Sequence, residues 1–158
     1  MQLERKLMGD ALRATVIPYL REVGFAGTLP HFRRKRSGRH ELLSIMFNKY
    51  GGSFYVEAGA MSGERYVELQ RHWATAGKEL PESKLDIGHC EWDQRVRLGL
   101  STLDPDSDHW FVFGSDRFAR GSLLPPSHYA AVASQALAAI QLQLELFYGQ
   151  STLRPSEA

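Results

Sequence analysis

The stretch LLSIMFNKYGGSFYVEAGAM, residues 42–61, contains two runs of β-forming residues on either side of Gly51-Gly52. Apolar residues alternate with other residues in both runs, and this period of two is typical of strands that bury one face. A glycine pair suits the backbone of a tight hairpin turn. The stretch therefore predicts two antiparallel strands. The residues expected to face the core are Leu43, Ile45, Phe47, Phe54, Val56, Ala58 and Ala60.

A third strand is predicted immediately before this hairpin. Residues 29–36 are followed by Ser37-Gly38, a second short turn. Short glycine turns can join only antiparallel neighbours, so the strands near 29–36, 40–49 and 53–61 form a meander. Two more strands are predicted near 93–101 and 108–114. The residues DPDSD between these two have turn chemistry, so the second is expected to pair back on the first.

Helices are predicted on both sides of these strands. Apolar residues recur at helical spacing from Leu3 to Val23, and Gly24 follows where a glycine commonly ends a helix. Pro125-Pro126 opens a second helix of roughly 22 residues that ends at Gly149. Residues 63–80 have weaker helical spacing. The order α, three β, α or irregular insert, two β, α predicts an α+β fold with a single antiparallel sheet of about five strands.

The chain of 158 residues is 43% hydrophobic and 23% charged, which is ordinary for a globular protein. We expect one globular domain over residues 1–150 and a polar tail over 151–158. The single cysteine, Cys90, cannot form an intramolecular disulfide, and the charged N-terminus lacks the apolar centre of a signal peptide. A cytoplasmic protein is the resulting expectation.

The most apolar long stretch runs from Tyr129 to Tyr148. Glu145 and several amides and hydroxyls interrupt it, so we expect a buried or partner-facing helix and no membrane span. Apolar residues lie on more than one side of this helix, and each side needs a cover. Two covers are open: other parts of the same fold on both sides of the helix, or a second copy of the chain, which would make a homodimer through this C-terminal helix.

Charge is unevenly distributed, although the net charge of the chain is only +1. Residues 31–40 contain five arginine and lysine side chains and no carboxylate, whereas residues 79–108 contain eight acids and three such cations. Alternation along a strand puts Arg34 and Arg36 on the opposite face from Arg33. We weigh three interpretations: a structural hairpin with arginines paired to acids such as those in 79–108, an anionic protein partner, and nucleic acid.

A second candidate surface involves the predicted strands near the chain's last third. Trp110 and Phe111 are adjacent, so alternation turns one of them outward. An exposed aromatic beside Arg95 or Arg97 would form a binding face, because aromatic and arginine side chains dominate interface hot spots. The alternative is that the insert or the C-terminal helix covers both rings. The predicted binding residues are Arg33, Arg34, Arg36, Arg95, Arg97 and Trp110.

Motifs for catalysis and metal binding are missing from the sequence. It has no P-loop, no G-x-S-x-G and no zinc-ligand spacing. His89, Cys90 and Glu91 are adjacent, so their side chains diverge instead of converging on one ion. We therefore predict no catalytic residues, no metal site and no cofactor.

Several short motifs occur in an order that resembles a bacterial domain-of-unknown-function family, DUF4304, from Leu3 to about Phe147. The motifs are YLREVGFAG (19–27), HFRR (31–34), YGGSFYVEAG (50–59), RVRLGL (95–100) and HWFVF (109–113). The resemblance implies a small, single-domain bacterial protein. It implies no particular activity, cofactor or catalytic residue.

The charge segregation and the missing catalytic motifs predict a non-enzymatic protein-binding domain. An immunity or antitoxin role is suggested by analogy alone, because many small bacterial α+β proteins have that role. Two alternatives stay open. One is a small-ligand binder or enzyme that uses the insert 62–92, with His72, His89, Cys90 and Glu91 as candidates. The other is nucleic-acid binding through the basic hairpin 31–40, with an affinity that falls steeply as salt rises.

Overall fold

The computed structural model describes residues 2–100, 108–114 and 123–150. In these ranges the chain forms three α-helices and one antiparallel sheet of six strands, which confirms the predicted α+β class. The elements are α1 (Gln2–Glu22), β1 (Ala26–Thr28), β2 (His31–Arg36), β3 (Arg39–Phe47), β4 (Ser53–Ser62), α2 (Gly63–Thr75), β5 (Arg95–Leu98), β6 (Phe111–Val112) and α3 (Pro126–Gln150). Three short 3-10 turns lie between α2 and β5. The tail predicted over 151–158 lies outside the described residues.

The meander of β2, β3 and β4 forms as predicted. Ser37 and Gly38 have φ angles of 54° and 73°, the two positive values that a two-residue type I′ turn requires. Gly51 and Gly52 also have positive φ, at 90° and 79°. The sheet order is β1-β2-β3-β4-β5, and the edge strand β1 was not predicted.

The predicted pairing of the last two strands is wrong. In the described part of the chain, β6 pairs with β4 instead of β5, with Phe111 opposite Phe54. β5 has only four residues and pairs with β4 from Val56 to Gly59. The ten-residue β4 therefore has room on the same edge for both strands. Most of the turn predicted at 104–108 lies outside the described residues.

The inner face of the sheet packs against α1 and α3 and forms the main core. From α1 one buried residue per turn enters it: Met8, Leu12, Val16 and Leu20. The predicted core residues of β3 and β4 lie here, all of them buried except Phe47, which is partly buried. Alternation explains this, because residues two apart on a strand point to the same face.

The outer face of the sheet is covered over one half by α2 and the 3-10 turns. A second, smaller core lies there, made of Leu42, Met61, Tyr66, Leu80, Leu85, Ile87 and Cys90. The lack of a side chain at Gly59 permits this packing, since a Cβ atom there would lie 2.5 Å from Ile87 Cδ1. Ser62 begins α2 by accepting a hydrogen bond from the Arg65 amide at 3.1 Å.

By length and composition, α3 could span a membrane over Pro126–Gly149. Its buried side chains, among them Ile140, Leu144 and Tyr148, pack in the main core. Leu142 and Leu146 on another side are 57% and 51% exposed. A homodimer through this helix, one of the two covers considered above, is not tested by this packing.

Candidate functional site

The arginines of the basic hairpin that point inward form an ion-pair cluster around Glu41. This carboxylate is fully buried, and its oxygens lie 2.6 Å from Arg34 Nε, 3.2 Å from Arg36 Nε and 2.8 Å from Arg39 Nη2. Glu145 on α3 adds a second carboxylate, 2.8 Å from Arg34 and 2.7 Å from Arg36. We call these five residues the arginine cluster. It ties β2 and β3 to α3.

The arginine cluster changes the interpretation of the basic stretch. Arginine pairing with acids in 79–108 was one interpretation, but Arg34 and Arg36 pair with Glu41 and Glu145 instead. Glu41 was within reach because the turn brings it directly opposite Arg34. Lys35 contacts the acidic segment through an exposed 3.2 Å pair with Glu82, which lies in the described part of that segment.

Burial and ion pairing oppose each other at the rim of the arginine cluster. Burial raises the pKa of Glu145, but hydrogen bonds from Arg36 and Arg34 outweigh it and hold that pKa below its ordinary value. The guanidinium of Arg34 also lies over two rings, 4.5 Å from the centroid of Phe25 and 5.3 Å from that of Tyr148. Arg34 and Arg36 are thus placed in internal contacts.

The uncovered half of the outer face carries a cluster of arginine and aromatic side chains. Arg97 Cζ lies 3.8 Å from the ring centroid of Tyr55 and 5.1 Å from that of Trp110. The two rings meet edge to face at 5.1 Å. Trp110 is partly exposed and Phe111 is buried. The structure therefore brings the predicted residues Arg97 and Trp110 together, and adds Tyr55. We call these three residues the outer-face cluster.

Tyr55 was missed in the sequence although its signal was present. It lies between the core residues Phe54 and Val56 on the same strand. Because successive side chains of a strand point to opposite faces, the sequence already indicated that Tyr55 points outward. What the sequence could not show was its position opposite Trp110, which depends on β6 pairing with β4.

Two more of the predicted binding residues, Arg95 and Arg33, lie on the outer face but make different contacts. Arg95 lies 4.2 Å from the ring centroid of Trp92, which is 81% exposed, and donates to the carbonyls of Cys90 and Gly88. Arg33 is partly buried and makes no ion pair with any residue that the structure describes.

A polar row crosses the outer face between these arginines. His31, Ser44, Glu57 and Arg97 are neighbours in register on β2, β3, β4 and β5. Burial raises the pKa of Glu57 above its ordinary value, although Arg95 and Arg97 act in the opposite direction. His31 Nδ1 and Ser44 Oγ are buried without a hydrogen-bond partner among the described residues.

The candidate residues of the insert do not converge on one site. His89 Nδ1 accepts the Asp86 amide in a capping box, and Glu91 lies 3.7 Å from Arg65. Burial raises the pKa of Cys90 to about 12, so its thiol stays protonated near neutral pH. Within the described ranges, no group of three potential metal ligands is found.

In the described part of the chain, two of the cavities lie away from the predicted residues. One, of about 420 Å³, lies between α1 and the end of β3, and we call it the α1 cavity. The other is a groove of about 720 Å³ between α2 and the β2–β3 hairpin, and His40 lines it. The His40 ring lies 4.8 Å from that of Tyr66, and burial lowers the pKa of His40.

Comparison with known proteins gives one family. The model of a domain of unknown function, DUF4304, matches residues 16–117, which include β1 to β6 and α2. No curated protein and no solved structure matches the chain. Since the family model covers more than half of the sequence, the chain belongs to the DUF4304 family.

Proposed function

We propose that this protein is a protein-binding domain, and that the uncovered half of its outer sheet face recognises the partner. The observation that supports this proposal is the outer-face cluster, in which the Arg97 guanidinium contacts the rings of both Tyr55 and Trp110. Tyrosine, tryptophan and arginine are the side chains most enriched at interface hot spots. Their association on one strand-rich surface before any partner arrives lowers the entropy lost on binding.

The apolar surroundings of the cluster fit the same role. Val112 on β6 is 65% exposed beside Trp110. An exposed valine next to aromatic rings offers apolar area that a partner can cover. Covering it would also remove water from around Arg97, which strengthens a contact between that guanidinium and an acidic group.

The charges of this face favour an acidic partner surface. Among the described residues, Arg33, Arg95 and Arg97 all lie on the outer face of the sheet, where Glu57 is the strand neighbour of Arg97 and Asp108 pairs with it. Proteins of the immunity or antitoxin kind act by occupying a surface of their target and need only such a face. A toxin with an acidic surface is the partner class that we would test first.

The test uses variants that remove the cluster without touching the core. Candidate partners would be identified by cross-linking, and toxins encoded beside the gene would be tested with them. Calorimetry would then measure their binding to the wild type, Arg97→Ala and Trp110→Ala. Arg71→Ala, which removes an exposed arginine of α2, is the matched control. Loss of a hot-spot side chain should weaken binding about 30-fold or more, since such residues contribute ~2 kcal/mol or more. A partner that binds all four proteins equally would refute the proposal.

Nucleic-acid binding through the basic hairpin is the competing hypothesis. Three of its five arginine and lysine side chains, Arg34, Arg36 and Arg39, are engaged in the arginine cluster. A mixed nucleic-acid pool tested at low and physiological salt distinguishes the two hypotheses. Salt-sensitive binding that is lost in Arg33→Gln and Lys35→Gln would favour nucleic acid over an acidic protein surface.

A further inference from the structure

The α1 cavity has the size of a small-molecule site. Its volume of about 420 Å³ lies within the range of roughly 300–1,000 Å³ that ligand pockets occupy. It opens between the first turns of α1, the end of β3 and the loop at Leu29-Pro30. None of the residues of the outer-face cluster lines it.

The apolar side of the α1 cavity reaches the main core. Leu29 and Phe47 are partly buried and pack against core residues, and Met46 lies beside them. Water in contact with such a surface is released when an apolar ligand covers it. An aromatic or aliphatic ligand body would therefore be favoured at this side.

The other side of the α1 cavity is cationic. Arg5, Lys6 and Arg13 line it, and none of its lining residues in the described ranges carries a negative charge. Asp10 pairs with Lys6 at 3.5 Å and with Arg13 at 3.1 Å in exposed contacts on the same helix. Arg5 lies 4.9 Å from the ring centroid of Phe47 and makes no ion pair with any residue in the described ranges. Its guanidinium is therefore available to an anion at the point where the cationic and apolar sides meet.

Gly9 keeps space open in the wall of the α1 cavity. A glycine inside a helix is less stable than an alanine by ~1 kcal/mol, yet Gly9 lies in the middle of α1 and is buried. A Cβ atom added there would lie 3.3 Å from Arg13 Nη1, so the Arg13 guanidinium lies across this turn of the helix. A larger side chain at position 9 would displace Arg13 and occupy part of the cavity.

From these features we infer that the α1 cavity binds a small amphipathic anion, with an apolar body on Leu29, Met46 and Phe47 and a carboxylate, sulfonate or phosphate near Arg5. The site is independent of the protein-binding face proposed above. It needs neither Arg97 nor Trp110.

The test compares three probes of the same shape and different charge. Binding of 1-naphthoate, neutral 1-naphthamide and cationic 1-naphthylmethylammonium to the full chain would be measured by calorimetry and by ligand-observed NMR. We expect naphthoate to bind about 10-fold or more tightly than naphthamide, because an arginine stabilises the charged group. The ammonium probe should bind more weakly than both.

Two variants test whether the α1 cavity is where the anion binds. Arg5→Gln removes an exposed charge and should bring the affinity for naphthoate down to that for naphthamide. Gly9→Leu fills the space and should abolish binding of both probes, while circular dichroism shows that the helix content is kept. Arg71→Gln, on α2, is the charge-matched control and should bind like the wild type.

Three results would overturn the inference. The first is no naphthoate binding to the wild type at millimolar probe concentration. The second is equal affinity for naphthoate and the ammonium probe. The third is unchanged naphthoate binding in folded Gly9→Leu together with Arg5→Gln, which would place the probe elsewhere.

Discussion

Replacing Glu41 with glutamine tests whether the basic hairpin is held by the arginine cluster. Glu41 is fully buried and contacts Arg34, Arg36 and Arg39 at 2.6, 3.2 and 2.8 Å. Glutamine keeps the shape of the side chain and removes its charge. Removing one partner of a buried ion pair leaves the other charge uncompensated and typically costs about 3–5 kcal/mol.

The remaining contacts set the expected cost near the lower end of that range. Arg34 would keep the Glu145 carboxylate and the Val23 carbonyl, both at 2.8 Å, and Arg39 would keep the Tyr148 carbonyl at 2.7 Å. We therefore expect the free energy of unfolding to fall by about 3 kcal/mol. For a chain of this length that loss lowers the midpoint of thermal unfolding by roughly 6–12 °C.

Urea denaturation at neutral pH measures this change directly, with the slope of the transition as a check on two-state unfolding. Asp10→Asn is the control, because its pairs with Lys6 and Arg13 are exposed and should contribute about 0–1 kcal/mol. If Glu41→Gln costs no more than Asp10→Asn, the reasoning is refuted. The arginines of β2 would then be free for an external anion, and nucleic-acid binding would regain support.

Three further predictions concern the covered half of the outer face. Cys90 should react with thiol reagents only as fast as the protein unfolds, because it is buried and its pKa is raised to about 12; a time course with a chromogenic disulfide would show this. Gly59→Ala should lower the free energy of unfolding by about 1–3 kcal/mol in urea, since the new Cβ would lie 2.5 Å from Ile87 Cδ1. Burial lowers the pKa of His40 below 6.5, so the unfolded chain binds that proton more tightly. Stability should therefore rise with pH from the lowered pKa up to about 6.5, and His40→Gln should flatten this rise in pH-dependent melting curves.

Local pattern was enough to predict most of the fold. The alternation of apolar residues along β3 and β4 predicted which side chains face the core, because successive side chains of any strand point to opposite faces. The short turn at Ser37-Gly38 predicted the β2–β3 hairpin and also determined that Arg34 lies opposite Glu41. The main ion pair of the arginine cluster could therefore have been found from the sequence.

What the sequence missed depends on contacts between distant elements. β1 has three residues, too few for a detectable alternation. The pairing of β6 depends on which part of the long β4 remains free after β5 has formed, and no local signal shows this. Glu145 reaches Arg34 from α3, more than a hundred residues away, so its role appears only in the folded molecule.

The two arginine groups of the sheet differ in how their charges are compensated, and this difference is why we assign the proposed partner contact to Arg97. Arg34 donates to two carboxylates and a backbone carbonyl inside the protein, so little of its charge remains for a ligand. Arg97 contacts two aromatic rings and pairs with the exposed carboxylate of Asp108. Aromatic faces attract a cation without neutralising it. A partner carboxylate could therefore replace Asp108 at little cost, and the charge of Arg97 would be kept for recognition.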